Sequence, residues 1–588
     1  MPSQSYREFF SSRQPQTVFI VLVLVGSIAY ANAVLHPFVH DDVVFIEQNP
    51  RIHDLNFASI LTYTPNVKNT AGIVNTYWRP FLELYYRLVV QTVGMNPAVF
   101  HLFNIILHIV NSYLVYLLML KLPLRGALSA FAVSAIFLLH PLQSESVACV
   151  AGVSNILLAF FLLVSLLLFI NYVRQGKGRD LALSCAVFVL ALLCKEQAVV
   201  LPALAALYVA CFSDQPFKKG AKPLAVLATI DGLYLIFRQA LTGVFVTSGL
   251  TIDQEFWLRV AAIPRTLLGY FRVIILPYDL HYYRNTDILS PQTMPVVIFA
   301  LLAGALLYYA IRSRQRLLML FSMGWFILTL LPMLNLVPLI NEYSLILTAD
   351  HFLYLPLAGF VVFAVCSIDG IQWVRPPIKR ALFMGAAVAS LFLTIQLNSS
   401  WRHEVALFER TVRFEPDFGR GHQLLAKAYY FDGRFKESIG HFQRAYDIME
   451  NYFNKATNEK AKSFYREFMM AILFDMAHSY EGLADLETAN ELYFRILEDD
   501  PANSVLLNNM GLNHVKLNKM EEGKVYFLRA LEADPANALA KNNLATYYAI
   551  MGENNQALKL YEELLELDPG NMAVRNNLER LKRSLQDP

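Results

Sequence analysis

Apolar residues fill long runs over the first two thirds of the chain, from Thr17 to about Leu397. These runs are roughly 15 to 25 residues long and are separated by short polar segments, and about 20 apolar residues cross a bilayer as a helix. The pattern therefore predicts a polytopic, all-helical membrane domain over residues 1–400.

A different periodicity begins after Trp401. The segments "DPANSVLLNNMGLNHVK" and "DPANALAKNNLATYYAI" repeat, with Pro501, Pro535 and Pro569 about 34 residues apart, which is the period of tetratricopeptide repeats. An earlier copy around Ala426 fits this register only with an insertion near 450–466. Residues 401–588 are thus predicted to form a tetratricopeptide α-solenoid of about four repeats and a C-terminal capping helix, and the fold class is all-α.

Basic residues orient the predicted spans, because Lys and Arg collect on the cytoplasmic side of a membrane. The basic segments contain Lys121 and Arg125, Arg174 to Arg179, Lys218 to Lys222, Arg312 to Arg316, and Arg375 to Arg380. If all of these segments lie inside, the run near 257–276 must be an interfacial or re-entrant helix pair and not a crossing. About eleven crossings then remain. The outer loop 36–98 and the repeat domain then lie on the same outer face.

Composition agrees with a membrane protein and narrows its class. Hydrophobic residues make up 56% of the 588 residues, and the mean hydropathy is +0.39. The net charge of +2 gives no basic field for nucleic acid. The five cysteines lie in or beside apolar segments without the spacing of a zinc site, so we expect them to be core residues.

Ionisable groups stand at the predicted outer ends of the spans. They occur in six segments: "HDD" (Asp41, Asp42), "YWRP" (Arg79), "HPLQSES" (His140, Glu145), "CKEQ" (Lys195, Glu196), "PYDLHYYRN" (Arg284) and "DHFLYLP" (Asp350, His351). Such groups are costly at the membrane boundary unless they pair or function there. Together they suit a reaction between a lipid-linked anionic donor and a water-borne acceptor. A carboxylate takes a proton from the acceptor hydroxyl, and cations stabilise the leaving phosphate.

These segments, in this order and followed by tetratricopeptide repeats, resemble the transmembrane and tetratricopeptide-repeat O-mannosyltransferases and their bacterial relatives in the GT-C glycosyltransferase superfamily. The resemblance implies a GT-C-type membrane domain and an inverting transfer of mannose or another hexose. The implied donor is a polyprenyl-phosphate-linked sugar, the implied acceptors are Ser and Thr hydroxyls of proteins, and no cofactor or metal is obligatory. Two motifs depart from the family: it often has His-x-x-His/Thr-Glu in place of "HPLQSES", and Glu-Arg-x-Leu-Tyr-Leu-Pro in place of "DHFLYLP".

The short repeat array suits a bacterial inner-membrane protein with periplasmic repeats. In a eukaryotic cell the same topology places the repeats in the lumen of the endoplasmic reticulum. The implied partners are a lipid-linked donor, the membrane and a protein or peptide acceptor, without nucleic acid.

The family resemblance places the catalytic base in the pair Asp41 and Asp42. We favour Asp42 as the base, with Asp41 fixing the loop, and the structural alternative is a helix N-cap. Eight further residues are candidates for binding the donor phosphate or substrate: Arg79, His140, Glu145, Lys195, Glu196, Arg284, Asp350 and His351. Each has a structural alternative, such as an interfacial anchor for Arg79, a helix-end ligand for His140, or a local salt bridge between Lys195 and Glu196.

Two further polar groups have competing interpretations. His101, Asn104, His108 and Asn111 share one helical face, where a polar seam between packed helices is favoured over a metal site. In the repeats, four asparagines are predicted to line a concave groove that binds an acceptor peptide, with packing as the alternative. They are Asn508, Asn509, Asn542 and Asn543.

The sequence thus favours a membrane glycosyltransferase whose repeats raise the local concentration of a protein acceptor. One alternative is a glycosyltransferase that acts on a glycan or lipid. Another is a non-catalytic tetratricopeptide membrane scaffold or a transporter, although a transporter is expected to have broken helices near the membrane midplane.

Overall fold

The computed structural model describes residues 5–54, 56–62, 67–68, 74–75, 78–124, 126–214, 220–242, 254–284, 293–334, 348–456 and 459–586. The chain divides into two compact units, Met1–Pro416 and Asp417–Pro588. Three basic residues used to orient the spans, Arg125, Lys218 and Lys219, lie outside the described residues.

The described part of the first unit is built mainly from helices. Its α-helices are Ser5–Tyr30, Phe57–Thr62, Pro80–Val93, Pro97–Leu120, Ala127–Leu139, Ser144–Ala148, Val153–Gln175, Gly178–Cys194, Leu201–Phe212, Ala221–Thr242, Gln254–Ile275, Thr293–Arg312, Arg316–Leu330, Pro356–Gly370, Pro376–Asn398 and Glu404–Phe414. A π-helix covers Val43–Glu47, and short 3₁₀ helices cover Ala31–Ala33, Pro50–His53, Pro141–Gln143, Val150–Gly152, Glu196–Val200, Leu331–Met333, Asp350–Leu353 and Ser399–Trp401. Two two-residue strands, Val67–Lys68 and Val74–Asn75, pair antiparallel.

Seven helices among the described residues are long and apolar enough to cross a membrane, and a bent pair makes up to eight. They are Pro15–Ala33, Pro97–Leu120, Val150–Gln175, Ala221–Leu241, Thr293–Arg312, Arg316–Met333 and Pro376–Trp401, with Ala127–Leu139 and Pro141–Ala148 as the bent pair. Two shorter apolar helices, Glu196–Phe212 and Pro356–Gly370, accompany them. The all-helical membrane fold is confirmed, and the count of about eleven crossings stays a prediction.

The run near 257–276, predicted to be an interfacial or re-entrant helix pair, forms a single helix, Gln254–Ile275. Its continuity through Pro264 corrects the expected pair. It is not among the candidate spans that the described residues contain, and Arg259, Arg265 and Arg272 interrupt its apolar sequence. A helix with this much charge is better suited to an interface than to a crossing.

The bent pair is interrupted at Pro141. Pro141 carries no N–H, so it cannot bond the carbonyl one turn earlier, and the two helices meet at 49°. Side chains replace the lost backbone bonds. The Leu138 carbonyl accepts from Tyr30 Oη at 3.1 Å and His108 Nε2 at 3.0 Å, and the Leu139 carbonyl accepts from Thr394 Oγ1 at 2.6 Å. The break is therefore satisfied by residues distant in the chain.

The polar row on Pro97–Leu120 is a buried seam between helices, as predicted. Asn104 Nδ2 donates to the Cys149 carbonyl at 3.1 Å, and Asn111 Nδ2 donates to the Ile156 carbonyl at 2.8 Å. Tyr354 is also buried in this seam, where its hydroxyl lies 2.7 Å from His108 Nδ1. These bonds satisfy the side-chain amide donors of Asn104 and Asn111 inside an otherwise apolar core.

The second unit consists of helix pairs in repeat register and a last, single helix. Its helices are Gly419–Phe431, Phe435–Lys455, Glu459–Gly482, Leu486–Asp499, Ser504–Lys516, Met520–Ala533, Ala538–Ile550, Asn554–Leu567 and Met572–Gln586. The predicted insertion lengthens the two helices on either side of residues 457–458, which are themselves not described. A Cβ on Gly511 would lie 2.6 Å from a Phe527 ring carbon, which explains the small residue at this position in the repeat.

The division after Pro416 differs from the predicted boundary after residue 400. The helix Glu404–Phe414 belongs to the first unit, and its buried Leu407 and Phe408 pack there. Its amphipathic pattern is similar to that of the repeats, so the sequence could not separate it from them.

Candidate functional site

Asp42 is a buried residue that holds two loops together. Only 1% of its surface is exposed. Its Oδ1 accepts from the Ala151 N–H at 2.7 Å and Cys149 Sγ at 3.3 Å, and its Oδ2 accepts from the Val39 N–H at 3.3 Å. Burial raises the pKa of the Asp42 carboxyl to about 7, although the hydrogen bonds oppose this shift. Asp42 precedes the π-helix Val43–Glu47 without a side-chain capping bond to it, so it is not the predicted side-chain cap.

Gly152 makes this arrangement possible. A Cβ at this position would clash with the backbone carbonyl of Ser146 and lie 2.8 Å from its carbonyl carbon, and backbone cannot move aside as a flexible side chain can. The close approach of Gly152 to Ser146 places the neighbouring Ala151 N–H where it donates to Asp42. A residue without a side chain is therefore required next to the site.

We expect Gly152→Ala to destabilise the first unit by about 1–3 kcal/mol, because the overpacked turn must shift. The variant should also lose transfer activity, since the shift moves the N–H that holds Asp42. Thermal unfolding in detergent measures the first effect, and Gly178→Ala is the control because a Cβ there meets nothing within 4 Å. Equal melting temperatures of the two variants would contradict the prediction.

Asp41 is the accessible member of the acidic pair. Its side chain is 38% exposed, and its Oδ2 accepts from the Tyr282 hydroxyl at 2.9 Å. His40 Nε2 lies 3.5 Å from Asp41 Oδ1. Burial, together with the charge of Asp41, raises the pKa of the Tyr282 phenol, so this hydroxyl stays protonated and donates. Asp41 therefore presents a carboxylate oxygen to solvent while a tyrosine orients it.

Arg79 and Glu196 form a bidentate ion pair. The Arg79 Nε atom lies 3.2 Å from both carboxylate oxygens of Glu196, and its Nη2 lies 3.0 Å from Oε2. Glu196 is 1% exposed and the Arg79 side chain 16%. Arg238 Nη2 adds a second guanidinium 3.9 Å from Glu196 Oε1. Glu196 thus lies between two arginines and does not form the local salt bridge with Lys195 that we considered.

Lys195 hydrogen bonds to a neutral group. Its Nζ donates to Asn155 Oδ1 at 2.5 Å, and the residue is 4% exposed. Burial and the charge of Arg79 lower the pKa of its amine to about 7, while Glu196 and Glu145 oppose this shift. A buried amine with this pKa is poised to take up a proton when an anion binds beside it.

Glu145 and His351 meet across 206 residues of sequence. Glu145 Oε2 accepts from the backbone N–H of His351 at 2.8 Å, and its Oε1 lies 2.7 Å from His351 Nδ1. His140 does not join them. Its Nδ1 accepts from the Leu142 N–H at 3.3 Å and its Nε2 donates to the Ile274 carbonyl at 3.0 Å. His140 therefore bonds backbone groups at the helix break, which agrees with the alternative role of a helix-end ligand.

Arg284 pairs with two buried carboxylates. Its Nε lies 3.1 Å from Asp350 Oδ1, and its Nη1 lies 3.5 Å from Asp279 Oδ2. Arg272 also contacts Asp279, which links this cluster to the helix Gln254–Ile275. The guanidinium of Arg284 is thus already neutralised by protein carboxylates.

Some of these groups line one small cavity in the first unit. Its lining includes Glu145, Asp350, Tyr282, Trp401 and Arg410. Tyr282, which lines the cavity, bonds to Asp41 of the acidic pair. Glu145 and Asp350 also line it, and they bond to His351 and Arg284. Within the described residues, no group of three or more His, Cys, Asp or Glu side chains could hold a metal ion.

The four predicted groove asparagines form a ladder between neighbouring repeats. Asn543 Nδ2 donates to Asn508 Oδ1 at 2.9 Å, and Asn508 Nδ2 lies 3.5 Å from Asn509 Oδ1. Asn577 Nδ2 in turn donates to Asn542 Oδ1 at 3.3 Å. The ladder supports the packing alternative, and a peptide-binding role stays a prediction.

Several residues of this site were not singled out from the sequence. Tyr282 lies in the segment "PYDLHYYRN", and Arg238 is a charge within an apolar run. A charge in such a run is itself a signal of a functional residue. Asp279 lies in the same segment as Tyr282, whereas Asn155 and Gly152 carried no such signal, because only the folded structure shows what they contact.

The fold and the site define a polytopic membrane protein with a charged, partly buried site at helix ends and a C-terminal tetratricopeptide unit. The tetratricopeptide repeat family profile matches residues 505–537 and 538–571. Among solved structures, the chain is similar to YrrB, a TPR protein with an unusual peptide-binding site, at 15% identity over 36% of this chain and 96% of that one. The TM-score of 0.24 is too low to support an argument about function.

The curated relatives are protein O-mannosyl-transferases. TMTC3 of Homo sapiens is 29% identical over 227 residues, or 37% of this chain and 23% of the relative. Tmtc1 of Drosophila melanogaster is 33% identical over 21% of this chain and 14% of the relative. TMTC4 of Mus musculus is 22% identical over 72% of this chain and 65% of the relative. The predicted resemblance to the transmembrane and tetratricopeptide-repeat proteins is confirmed, although the chain spans less than two thirds of the length of these relatives.

Proposed function

We propose that this protein is a membrane glycosyltransferase that transfers mannose or another hexose from a polyprenyl-phosphate donor to Ser or Thr hydroxyls of proteins. The observation that carries the proposal is the exposed Asp41 carboxylate, which accepts a hydrogen bond from Tyr282, a residue that lines the cavity. The relatives named above are O-mannosyl-transferases, which supports the same reaction.

In the proposed reaction the Asp41 carboxylate accepts the proton of the acceptor hydroxyl. The hydroxyl oxygen attacks the anomeric carbon of the sugar, the bond from that carbon to the phosphate oxygen breaks, and its electron pair leaves with the polyprenyl phosphate. Attack opposite the leaving group inverts the configuration. Asp41 is better suited to this role than Asp42, which we favoured from the sequence, because both oxygens of Asp42 accept hydrogen bonds from buried protein groups.

Lys195 is the proposed ligand for the donor phosphate. Arg79 and Arg284 pair with carboxylates, whereas the hydrogen bond that Lys195 makes goes to a neutral amide. A protonated amine near the phosphate stabilises the charge that develops on the leaving group. Arg79 then acts by orienting Glu196 beside this lysine.

We expect donor affinity to fall as pH rises above about 7. Without donor the Lys195 amine has a pKa of about 7, and a bound phosphate raises it, so binding takes up a proton above that pH. The dissociation constant should increase up to about tenfold per pH unit, measured with a polyprenyl-phosphate mannose in nanodiscs between pH 6 and pH 9.

Lys195→Gln should bind weakly at pH 6 and lose this pH dependence. Lys121→Gln is a matched control, because Lys121 Nζ also donates to an asparagine, Asn171, at 2.7 Å, and it lies outside the site. If Lys195→Gln keeps the wild-type slope, another group binds the phosphate.

The repeat unit is proposed to recruit the protein acceptor, which raises its effective concentration without a new catalytic contact. The asparagines Asn508, Asn509, Asn542 and Asn543 are the candidate peptide ligands. We propose that the unit is periplasmic in a bacterial inner membrane, or lumenal in the endoplasmic reticulum of a eukaryote, and that no metal or other cofactor is obligatory.

The test is glycopeptide mass spectrometry of secreted and membrane proteins. Cells carry the wild-type chain, a deletion, or the Asp41→Asn/Asp42→Asn double variant at matched expression. We expect Ser/Thr-linked hexose to disappear in both altered strains. If hexose moves instead to a glycan or lipid, the acceptor class is wrong. If hexose is lost in the deletion but kept in the double variant, neither aspartate is the base. If the deletion itself keeps the hexose, a scaffold role replaces catalysis.

A further inference from the structure

The helix Glu404–Phe414 contacts the loop that carries the acidic pair. Glu404 Oε1 accepts from the backbone N–H of His40 at 3.1 Å. Phe408 packs edge-to-face on the His40 ring, with centroids 5.2 Å apart. The hydrogen bond has an ionisable acceptor, which makes it stronger than a neutral one.

His40 needs such support because its backbone is in the left-handed region, with φ of 55°. This conformation is uncommon for a residue with a side chain and persists only where the surroundings determine it. His40 directly precedes Asp41, so its backbone angle sets the direction in which the Asp41 carboxylate points. Glu404 therefore fixes a strained residue next to the proposed base.

The same helix also contacts the second loop of the site. Arg410 Nε donates to the Leu280 carbonyl at 2.5 Å, and its Nη2 donates to the Tyr278 carbonyl at 3.1 Å. This loop carries Tyr282, the hydrogen-bond donor to Asp41. At the end of the helix, Glu415 Oε1 lies 3.4 Å from His281 Nε2.

We propose that Glu404 and Arg410 are positioning residues for the transfer reaction. Glu404, at the start of the helix, holds the loop of Asp41, and Arg410, further along it, holds the loop of Tyr282. Because the helix is rigid, the distance between Glu404 and Arg410 fixes the position of Asp41 relative to Tyr282. Neither residue takes part in bond making in this proposal. The inference rests on the proposed function, because it supplies the reason for holding these two loops together.

The experiment uses the full chain in nanodiscs and four variants. Glu404→Ala and Arg410→Met remove the two contacts, Glu404→Gln retains an oxygen that accepts the His40 N–H, and Arg413→Met is the control on an exposed residue of the same helix. The readouts are kcat, donor KM and hydrogen–deuterium exchange of residues 36–49 and 276–284.

We expect Glu404→Ala and Arg410→Met to lower kcat by roughly 10- to 100-fold with donor KM within about twofold, since small misplacement of reacting groups has effects of this size. Exchange should become faster in both loops for the corresponding variant. Glu404→Gln should recover most of the loss, and Arg413→Met should behave as wild type.

Wild-type kcat and unchanged exchange in Glu404→Ala and Arg410→Met would overturn the inference. Faster exchange throughout the first unit would also overturn it, because the residues would then serve general stability. If the wild type itself transfers no sugar while exchange changes are confined to the two loops, the proposed function fails and the positioning contacts stand.

Discussion

Asp41→Asn is expected to lower the rate of sugar transfer by about 10³-fold, within the range seen when a general base is removed. The amide cannot accept the hydroxyl proton, yet it has nearly the size of the carboxylate and its oxygen still accepts from Tyr282 Oη, now 2.9 Å from Asp41 Oδ2. The melting temperature should therefore stay near the wild-type value. The measurement is transfer from a synthetic polyprenyl-phosphate mannose to a Ser/Thr-containing peptide, with unfolding followed in the same detergent.

Asp42→Asn is the matched comparison, because it makes the same chemical change at the neighbouring residue. It should destabilise the first unit by about 1 kcal/mol, since an amide nitrogen then faces one of the N–H groups that Asp42 now bonds. Measurable transfer should remain. The opposite result, with transfer lost at Asp42 and retained at Asp41, would restore Asp42 as the base.

Glu196→Ala is expected to lower the free energy of unfolding by about 3 kcal/mol or more. The substitution removes the carboxylate that lies between Arg79 and Arg238, and the loss of one partner from a buried ion pair is strongly destabilising. Unfolding in mixed detergent micelles measures the change. Asp54→Ala is a more exposed comparison in the same unit, because that carboxylate is 57% exposed, and its effect should be smaller.

A double-mutant cycle with Arg79→Met and Glu196→Met separates stability from donor binding. If the two residues form a coupled pair, the double variant should be more stable than the sum of the single effects predicts, by about 1–3 kcal/mol. Donor affinity of the double variant should stay low if the pair orients Lys195. Additive effects on stability would show that the ion pair is not a coupled unit.

Periodicity was sufficient to predict the two architectures of this chain. A repeat of about 34 residues predicted the helix pairs of the second unit, and the apolar runs predicted a helical membrane domain. The motif "HDD" drew attention to Asp41 and Asp42, but one sequence could not tell which carboxylate is exposed. That difference depends on the N–H of Ala151, a residue 109 positions away.

The pairings within the site also lay beyond the sequence. Glu145 and His140 lie in one segment of the sequence, yet Glu145 bonds to His351, while Arg79 pairs with Glu196 at a separation of 117 residues. The packing of helices determines these partners, and no local sequence pattern specifies that packing. The helix Glu404–Phe414 was grouped with the repeats for a related reason, since its amphipathic pattern does not specify which surface its apolar side covers.

The helix break at Pro141 has a consequence for synthesis of the protein. The Leu139 carbonyl at the break is bonded by Thr394, which belongs to Pro376–Asn398, a helix made long after the break itself has left the ribosome. Until then the nascent chain lacks the hydroxyl that this carbonyl bonds in the complete first unit. The first unit therefore matures late, and a chain truncated before residue 376 is expected to be retained by quality control instead of accumulating as a stable shorter protein.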